Sequence, residues 1–452
     1  MARCSRLGWM ASPASPVVRA LTTTPPDVGA ADVPALRAAC LGGEVRQRLP
    51  AGHPLREVLR TDHLQLGARH ALIRAELRPL LRLWHQAGVP AMLIKGFALA
   101  EFEYSTPGER FYGDVDVLIP DDPDQIGRAV HLALAHGWRS DGQHARPSQW
   151  THECAHLYSP DGHIRLDVHR YVTGWVAGST QRVRYLTGAV WAQARLTDWD
   201  GLPVWRPSPV DAALVNVALG RCWGGDAGGL KPADYPDLRT LVARHDLTPG
   251  ALKDRAAMLG AVFTWQAFTQ VCDPFRQQFA LEEAGTRAAL LAGLRRDGYH
   301  PRLLLWQSRW HKLPHHLYWV PRVLPDVYWA WRAVRQGGDP RGHLHRWTPP
   351  ASAHLPPERL DPAVRVVALL TRLAYPRQSR IGTCVPRAYA TYRLLRRLGH
   401  PAVFVSGVAR SASGAVIGHA WVEDDRGELS AYAEPNARQQ FRTVFEWGAD
   451  PA

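Results

Sequence analysis

The feature that most restricts this chain is a pair of short apolar segments, Ala91-Met-Leu-Ile94 and Asp114-Val-Asp-Val-Leu-Ile119, closed by Lys95-Gly96 and by Pro120. Runs of this length bounded by breakers suit buried strands and are too short for helices. In the second segment Asp114 and Asp116 alternate with Val115 and Val117, so both carboxylates point to one face of a strand and the valines to the other. Such a sheet buries one face in apolar side chains and keeps charge on the other. Around it, Leu64, Leu66, Leu72, Leu77, Leu80, Leu81 and Leu83 predict a helix over 63–86, stopped by Gly88 and Pro90. Residues 97–102 and 125–135 also read as helical, 156–169 as a hairpin turning at Pro160-Asp-Gly162, and 208–290 as mainly helical.

In the hairpin, Asp167 lies on the face opposite Ile164, Leu166 and Val168. Three carboxylates on adjacent strands suit Mg²⁺, which takes hard oxygen ligands and substrate phosphates, and through it phosphoryl transfer. Lys95-Gly96 offers close backbone approach and a cation for a triphosphate, and Arg110 is near enough in sequence to join it. His152-Glu153-Cys154-Ala155-His156 fits H-E-x-x-H, the zinc signature of a helix. Pro160 follows closely and the stretch leads into the hairpin, so it reads as a strand entry.

The succession Leu93-Ile94-Lys95-Gly96, Arg110, Asp114-x-Asp116 and then an acidic strand resembles the nucleotidyltransferase superfamily, in its bacterial branch with a Leu-Lys-Gly motif. The resemblance spans residues 60–290 and implies a small mixed sheet followed by a helical part. It implies Mg²⁺ and a nucleoside triphosphate as cofactors, with Asp114, Asp116 and Asp167 as metal ligands and Lys95, Gly96 and Arg110 on the nucleotide. His169 matches a histidine that often follows the third carboxylate. The usual Gly-Ser is Lys95-Gly96 here, a departure that bears on the phosphate contacts.

A second chemistry lies near the C-terminus. Cys384 precedes an amphipathic run ending at Gly399, which sets the thiol at a helix N-terminus, where the macrodipole favours thiolate. Val416-Ile-Gly-His-Ala-Trp-Val-Glu423 reads as a strand carrying His419. A two-residue turn at Arg426-Gly427 would set Glu434 opposite His419; Glu423, on the same strand face, is the second choice of acid and Asp424 the third. Cys, His and acid together make a nucleophile, a base and an orienting carboxylate. This segment resembles the transglutaminase-like superfamily and, more narrowly, the leader-peptidase domain of lasso-peptide B proteins, over residues 360–440. The resemblance implies Cys384 as nucleophile, His419 as base and Glu434 as acid, the last position being usually Asp, and no cofactor for this half. It also implies a precursor peptide, a separate leader-recognition protein and a cyclase as partners.

The expected fold class is α+β: a nucleotidyltransferase-like mixed sheet with a helical subdomain, plus a papain- or transglutaminase-like α+β domain. The expected divisions are a weakly ordered leader (1–55), the nucleotidyltransferase-like domain (56–290), a basic, Trp- and Pro-rich connector (291–358) and the thiol domain (359–452). Residues 291–350 hold ten Arg or Lys against three Asp, and six of the chain's 18 Trp. Basic and aromatic together fit nucleic acid, a membrane surface or a peptide groove. Pro314, Pro321 and Pro325 are expected to break any long basic helix, which favours a solvated linker over nucleic-acid binding. Six scattered cysteines without a C-x-x-C pair, no apolar run of membrane-spanning length and no secretory signal point to the cytoplasm. The function expected is leader-peptide cleavage by Cys384 together with Mg-dependent nucleotidyl transfer. The alternative is a degenerate scaffold that binds peptide or nucleotide.

Overall fold

A computed structural model describes residues 15–140, 152–174, 180–219, 230–280, 284–337, 339–346, 357–375, 383–410, 416–423 and 437–448. The chain divides into two compact units, which part at Trp306 and Gln307.

The first unit is organised by a mixed sheet of β1 (Met92–Ile94), β2 (Val115–Leu118), β3 (Arg139–Ser140), β4 (Glu153–Tyr158), β5 (Arg165–His169), β6 (Arg195–Asp198) and β7 (Pro203–Arg206) in the order β3-β4-β5-β2-β1-β7-β6. β2 runs parallel to β5 and antiparallel to β1. Alternation divides the sheet into two faces. Leu93, Val115, Val117, Leu166 and Val168 pack with Ile73, Leu77, Leu80, Leu81 and Trp84 of α1 (Arg60–Gln86). The opposite face carries Met92, Ile94 and Leu118 into a second core shared with the helices beyond residue 208, and among these apolar side chains stand Asp116, Asp167 and His169. The carboxylates thus sit where the sheet meets the helical part.

Residues 16–49, expected to be a weakly ordered leader, form short helices at Pro16–Thr22, Val33–Ala38 and Gly42–Arg48. Val17, Ala20, Leu21, Leu36 and Val45 are fully buried in the second core. Each helix is too short to display a 3.6-residue period, and the Pro, Ala and Thr between them conceal the apolar spacing.

The long helix α2 (Pro301–Gln336) runs through Pro314, Pro321 and Pro325, contrary to the expected break. All three prolines are on its exposed side, where the carbonyls they deprive of a partner can be met by water. The other side is continuous: Trp319, Val323, Val327 and Ala330 join the core of the second unit. That stretch is therefore part of a folded unit and not a solvated linker. The same core takes in Val364 and Val367 of α3 (Pro357–Ala374), Ala388, Leu394 and Leu395 of α4 (Cys384–Arg397), and Phe404 and Ala420 from the sheet. That sheet is antiparallel, with β11 (Val416–Glu423) and β12 (Arg442–Trp447) flanking β10 (Val403–Arg410); the first unit also carries a separate small hairpin of β8 (Cys272–Asp273) and β9 (Gln278–Phe279).

Candidate functional site

The parallel register places Asp116 directly beside Asp167, and His156 of β4 beside Asp167 on its other edge. One row across the sheet is therefore polar. Asp114 precedes β2 and is half-buried, Asp116 and Asp167 are buried, and His169 is fully buried. Lys95 Nζ donates to Asp116 Oδ1 at 2.6 Å and lies 3.4 Å from His169 Nε2, which is itself 2.8 Å from the same oxygen. Burial opposes ionisation of Asp116, yet the Lys95 charge and the His169 contact hold its carboxyl well below the usual range.

Lys95 reaches this place through an uncommon backbone. Its φ is 58°, a left-handed conformation that costs a side-chain-bearing residue about 1–2 kcal/mol. Its N–H donates to Asn216 Oδ1 at 3.0 Å, and Asn216 lies on the π-helical turn Leu214–Leu219. The glycine that follows serves packing: a Cβ at Gly96 would fall 2.7 Å from Tyr112 Cβ.

Asp114 and Asp167 carry the opposite electrostatics. Burial pushes both upward and their carboxylate neighbours add to it; Asp167 is raised to about 7 although Arg165 grips it with bonds of 2.8 and 3.0 Å. Three carboxyls gathered at one place, two of them raised by burial and by one another, fit a site for a hard divalent cation. Lys95, Arg165 and Lys231 supply positive charge there, the last acting on Asp114. Arg110, expected among them, is instead bound to Asp237 of the helical part, at 2.6 and 2.7 Å, with Tyr104 Oη donating to the same carboxylate at 2.7 Å. It ties sheet to helices.

The H-E-x-x-H stretch enters β4 as expected, and no zinc helix forms there. A bulge between Glu153 and Ala155 turns Glu153 toward the Asp167 face. Among the described residues, the groups with ligand atoms within 4.8 Å of one another include Glu153–His156–Asp167 and His152–Glu153–His169. Local sequence had not suggested these neighbours of Asp167, nor Asn216, Arg165 and Lys231.

In the second unit Cys384 is the first residue of α4 and His419 stands on β11, opposite Gly407 of β10. Burial raises the thiol, but a hydrogen bond with the His419 side chain, the N–H groups of Ala420 and Val385 and the His419 charge outweigh it and lower the pKa. The imidazole stacks on Phe441 at 4.9 Å and on Trp421 at 5.9 Å. Glu423 accepts from Trp421 Nε1 at 2.7 Å and from Arg438 at 2.7 and 2.8 Å. Four residues along a strand is ~13 Å, so this carboxylate bears on His419 only through the indole. Glu434 and Asp424 lie outside the described residues.

The family model described as "Uncharacterised nucleotidyltransferase" matches residues 35–273, and that of the "Transglutaminase-like superfamily" matches residues 326–446. No curated protein and no solved structure matches the chain.

Proposed function

Because the chain belongs to the uncharacterised nucleotidyltransferase family and carries a transglutaminase-like domain, we propose that it is a two-part enzyme of lasso-type peptide biosynthesis. In this reading the second unit cleaves the leader from a precursor peptide, and the first transfers a nucleotidyl group from a Mg²⁺-bound nucleoside triphosphate. The observation that carries it is the pairing of Cys384, at a helix N-terminus, with His419. The thiolate attacks the scissile carbonyl, forming a thioester, and the departing amine takes its proton from the His419 imidazolium. Water then attacks the thioester, giving a proton to the imidazole and releasing the leader carboxylate and the thiol. The N–H groups of Val385 and Ala420, already aimed at the sulfur, are placed to meet negative charge on the carbonyl oxygen. Glu434 is the acid that would hold the imidazole tautomer.

In the first unit Asp114, Asp116 and Asp167 would hold Mg²⁺, which when bound neutralises phosphate charge and activates the attacking oxygen. Lys95 would then leave Asp116 for the triphosphate, and Arg165 would swing from Asp167 toward solvent, where half of its side chain already lies. The acceptor oxygen attacks the α-phosphorus and pyrophosphate departs.

A precursor peptide with its leader-recognition protein, incubated with wild type and with Cys384→Ala, tests the thiol half by release of the leader fragment. Transfer of label from an α-labelled triphosphate, lost in Asp114→Asn, tests the other. A second reading, a nucleotide- or peptide-binding scaffold without turnover, is favoured by one observation: Lys95 and Arg165 already supply cations to two of the three carboxylates. Nucleotide binding without transfer would support it.

A further inference from the structure

The side of α2 turned away from the core is apolar along a narrow line. Trp310, Leu313, Leu317, Leu324 and Tyr328 recur at spacings of three, four or seven residues, which on a helix places them in one stripe. All are exposed, Trp310 by 60% and Leu317 by 63%, and the stripe extends ~27 Å at 1.5 Å per residue. A stripe of large apolar side chains on the outside of a folded unit marks a surface for contact.

The charge on this helix selects among possible occupants. α2 contains six basic residues (Arg302, Arg309, Lys312, Arg322, Arg332 and Arg335) and one acid, Asp326. That acid is fully buried and paired inward with Arg397 at 2.6 Å and Arg393 at 3.6 Å. No carboxylate of α2 therefore reaches its outer side, whereas Arg332 and Arg335 are exposed there. Arg335 falls on the line of the stripe itself and Arg332 on its flank. The outer side thus combines leucine, tryptophan and tyrosine with arginine that no carboxylate of α2 faces, Arg332 and Arg335 lying over the rings of Trp329 and Trp331. This is the composition of a helix lying in the plane of an anionic lipid surface, with rings and leucines at the acyl boundary and guanidinium groups on the phosphates. Among the described residues no helix is long and apolar enough to cross a membrane, so the contact would be peripheral.

We propose that α2 docks this chain on an anionic membrane surface through the Trp310–Tyr328 stripe and its flanking arginines. The test is flotation of the full chain with vesicles of pure phosphatidylcholine and of equimolar phosphatidylcholine and phosphatidylglycerol. At low salt the bound fraction is expected to be at least about tenfold higher on the anionic vesicles, and to fall as salt is raised. Leu317→Glu with Leu324→Glu is expected to lower binding about tenfold or more, because both side chains would enter the acyl boundary. Arg332→Gln with Arg335→Gln should weaken binding to anionic vesicles only. These side chains are exposed, so the variants should keep the wild-type melting temperature and circular dichroism. Equal binding to both lipids, or binding indifferent to the leucine substitutions, would overturn the proposal. So would a wild-type dimer that the leucine substitutions dissociate, or salt-dependent capture of single-stranded RNA without vesicle binding; the stripe would then serve a second copy or a nucleic acid.

Discussion

Replacing Arg110 with methionine separates two roles that this arginine could have in one experiment. The guanidinium is buried and makes two charge-assisted bonds to Asp237, whose side chain is 4% exposed. Methionine fills much of the same volume and leaves Asp237 with only the Tyr104 hydroxyl among those donors. Breaking a buried pair by removing one partner costs about 3–5 kcal/mol, because the remaining charge stays desolvated. For a unit of this size each kcal/mol moves the melting temperature by about 2–4 °C, so a fall of about 6–20 °C is expected. Calorimetry of the full chain should show this in the first unit's transition and leave the second unit's in place. Below that transition the affinity for a Mg-nucleotide should stay within about threefold of wild type, since Arg110 does not touch the Lys95–Asp116 group. Arg110→Met with Asp237→Leu should recover part of the loss by removing the orphaned charge. An unchanged melting temperature with tenfold weaker nucleotide binding would refute this reasoning and return Arg110 to the phosphates.

Three further outcomes follow from the geometry. Asp167 has a folded pKa of about 7, above that of the unfolded chain, so it holds a proton that a bound cation must displace. From the unfolded value of about 4 up to about 7 the unfolded chain loses this proton while the folded one keeps it, so Asp167 lowers stability progressively across that window, fully above about 7 and not at all in stronger acid. Mg²⁺ affinity should therefore rise with pH up to about 7 and then level off, and Asp167→Asn should abolish the slope in calorimetric titrations. In His419→Ala the thiol loses the bond and charge that oppose its burial, so alkylation of Cys384 by iodoacetamide at neutral pH, read by peptide mapping, should slow about tenfold or more. A Cβ at Gly407 would lie 2.9 Å from the Arg442 carbonyl oxygen and 3.0 Å from Phe441 Cβ. Gly407→Ala should thus cost the second unit about 1–3 kcal/mol in denaturant titration and also slow Cys384 alkylation, because Phe441 stacks on His419.

What the sequence made legible is what local alternation encodes. Val115 and Val117 around Asp116, and Leu166 and Val168 around Asp167, dictated which face each carboxylate takes, and the sheet follows them. The carboxylates were expected on adjacent strands, but the register that sets Asp116 beside Asp167 joins residues 51 apart and has no local signal. Contacts between distant segments left no local mark. Arg110 meets Asp237 across 127 residues, and nothing near either one distinguishes that partner from a phosphate. The three prolines of α2 were misread for a related reason: a proline forbids a hydrogen bond, but whether the helix survives depends on which side faces the core. Glu153 shows a third limit. Its direction comes from a bulge, and one extra residue in β4 reverses the face that strict alternation would assign.

The central claim, that Cys384 and His419 form a working nucleophile and base, is tested most directly by intact-mass spectrometry of the full chain. The chain would be quenched in acid during incubation with a precursor peptide and its leader-recognition protein. The account predicts an adduct of the leader acyl group, mapped to Cys384 and absent from Cys384→Ala, together with released core peptide. Leader release by Cys384→Ala at the wild-type rate, with no adduct on either protein, would contradict it.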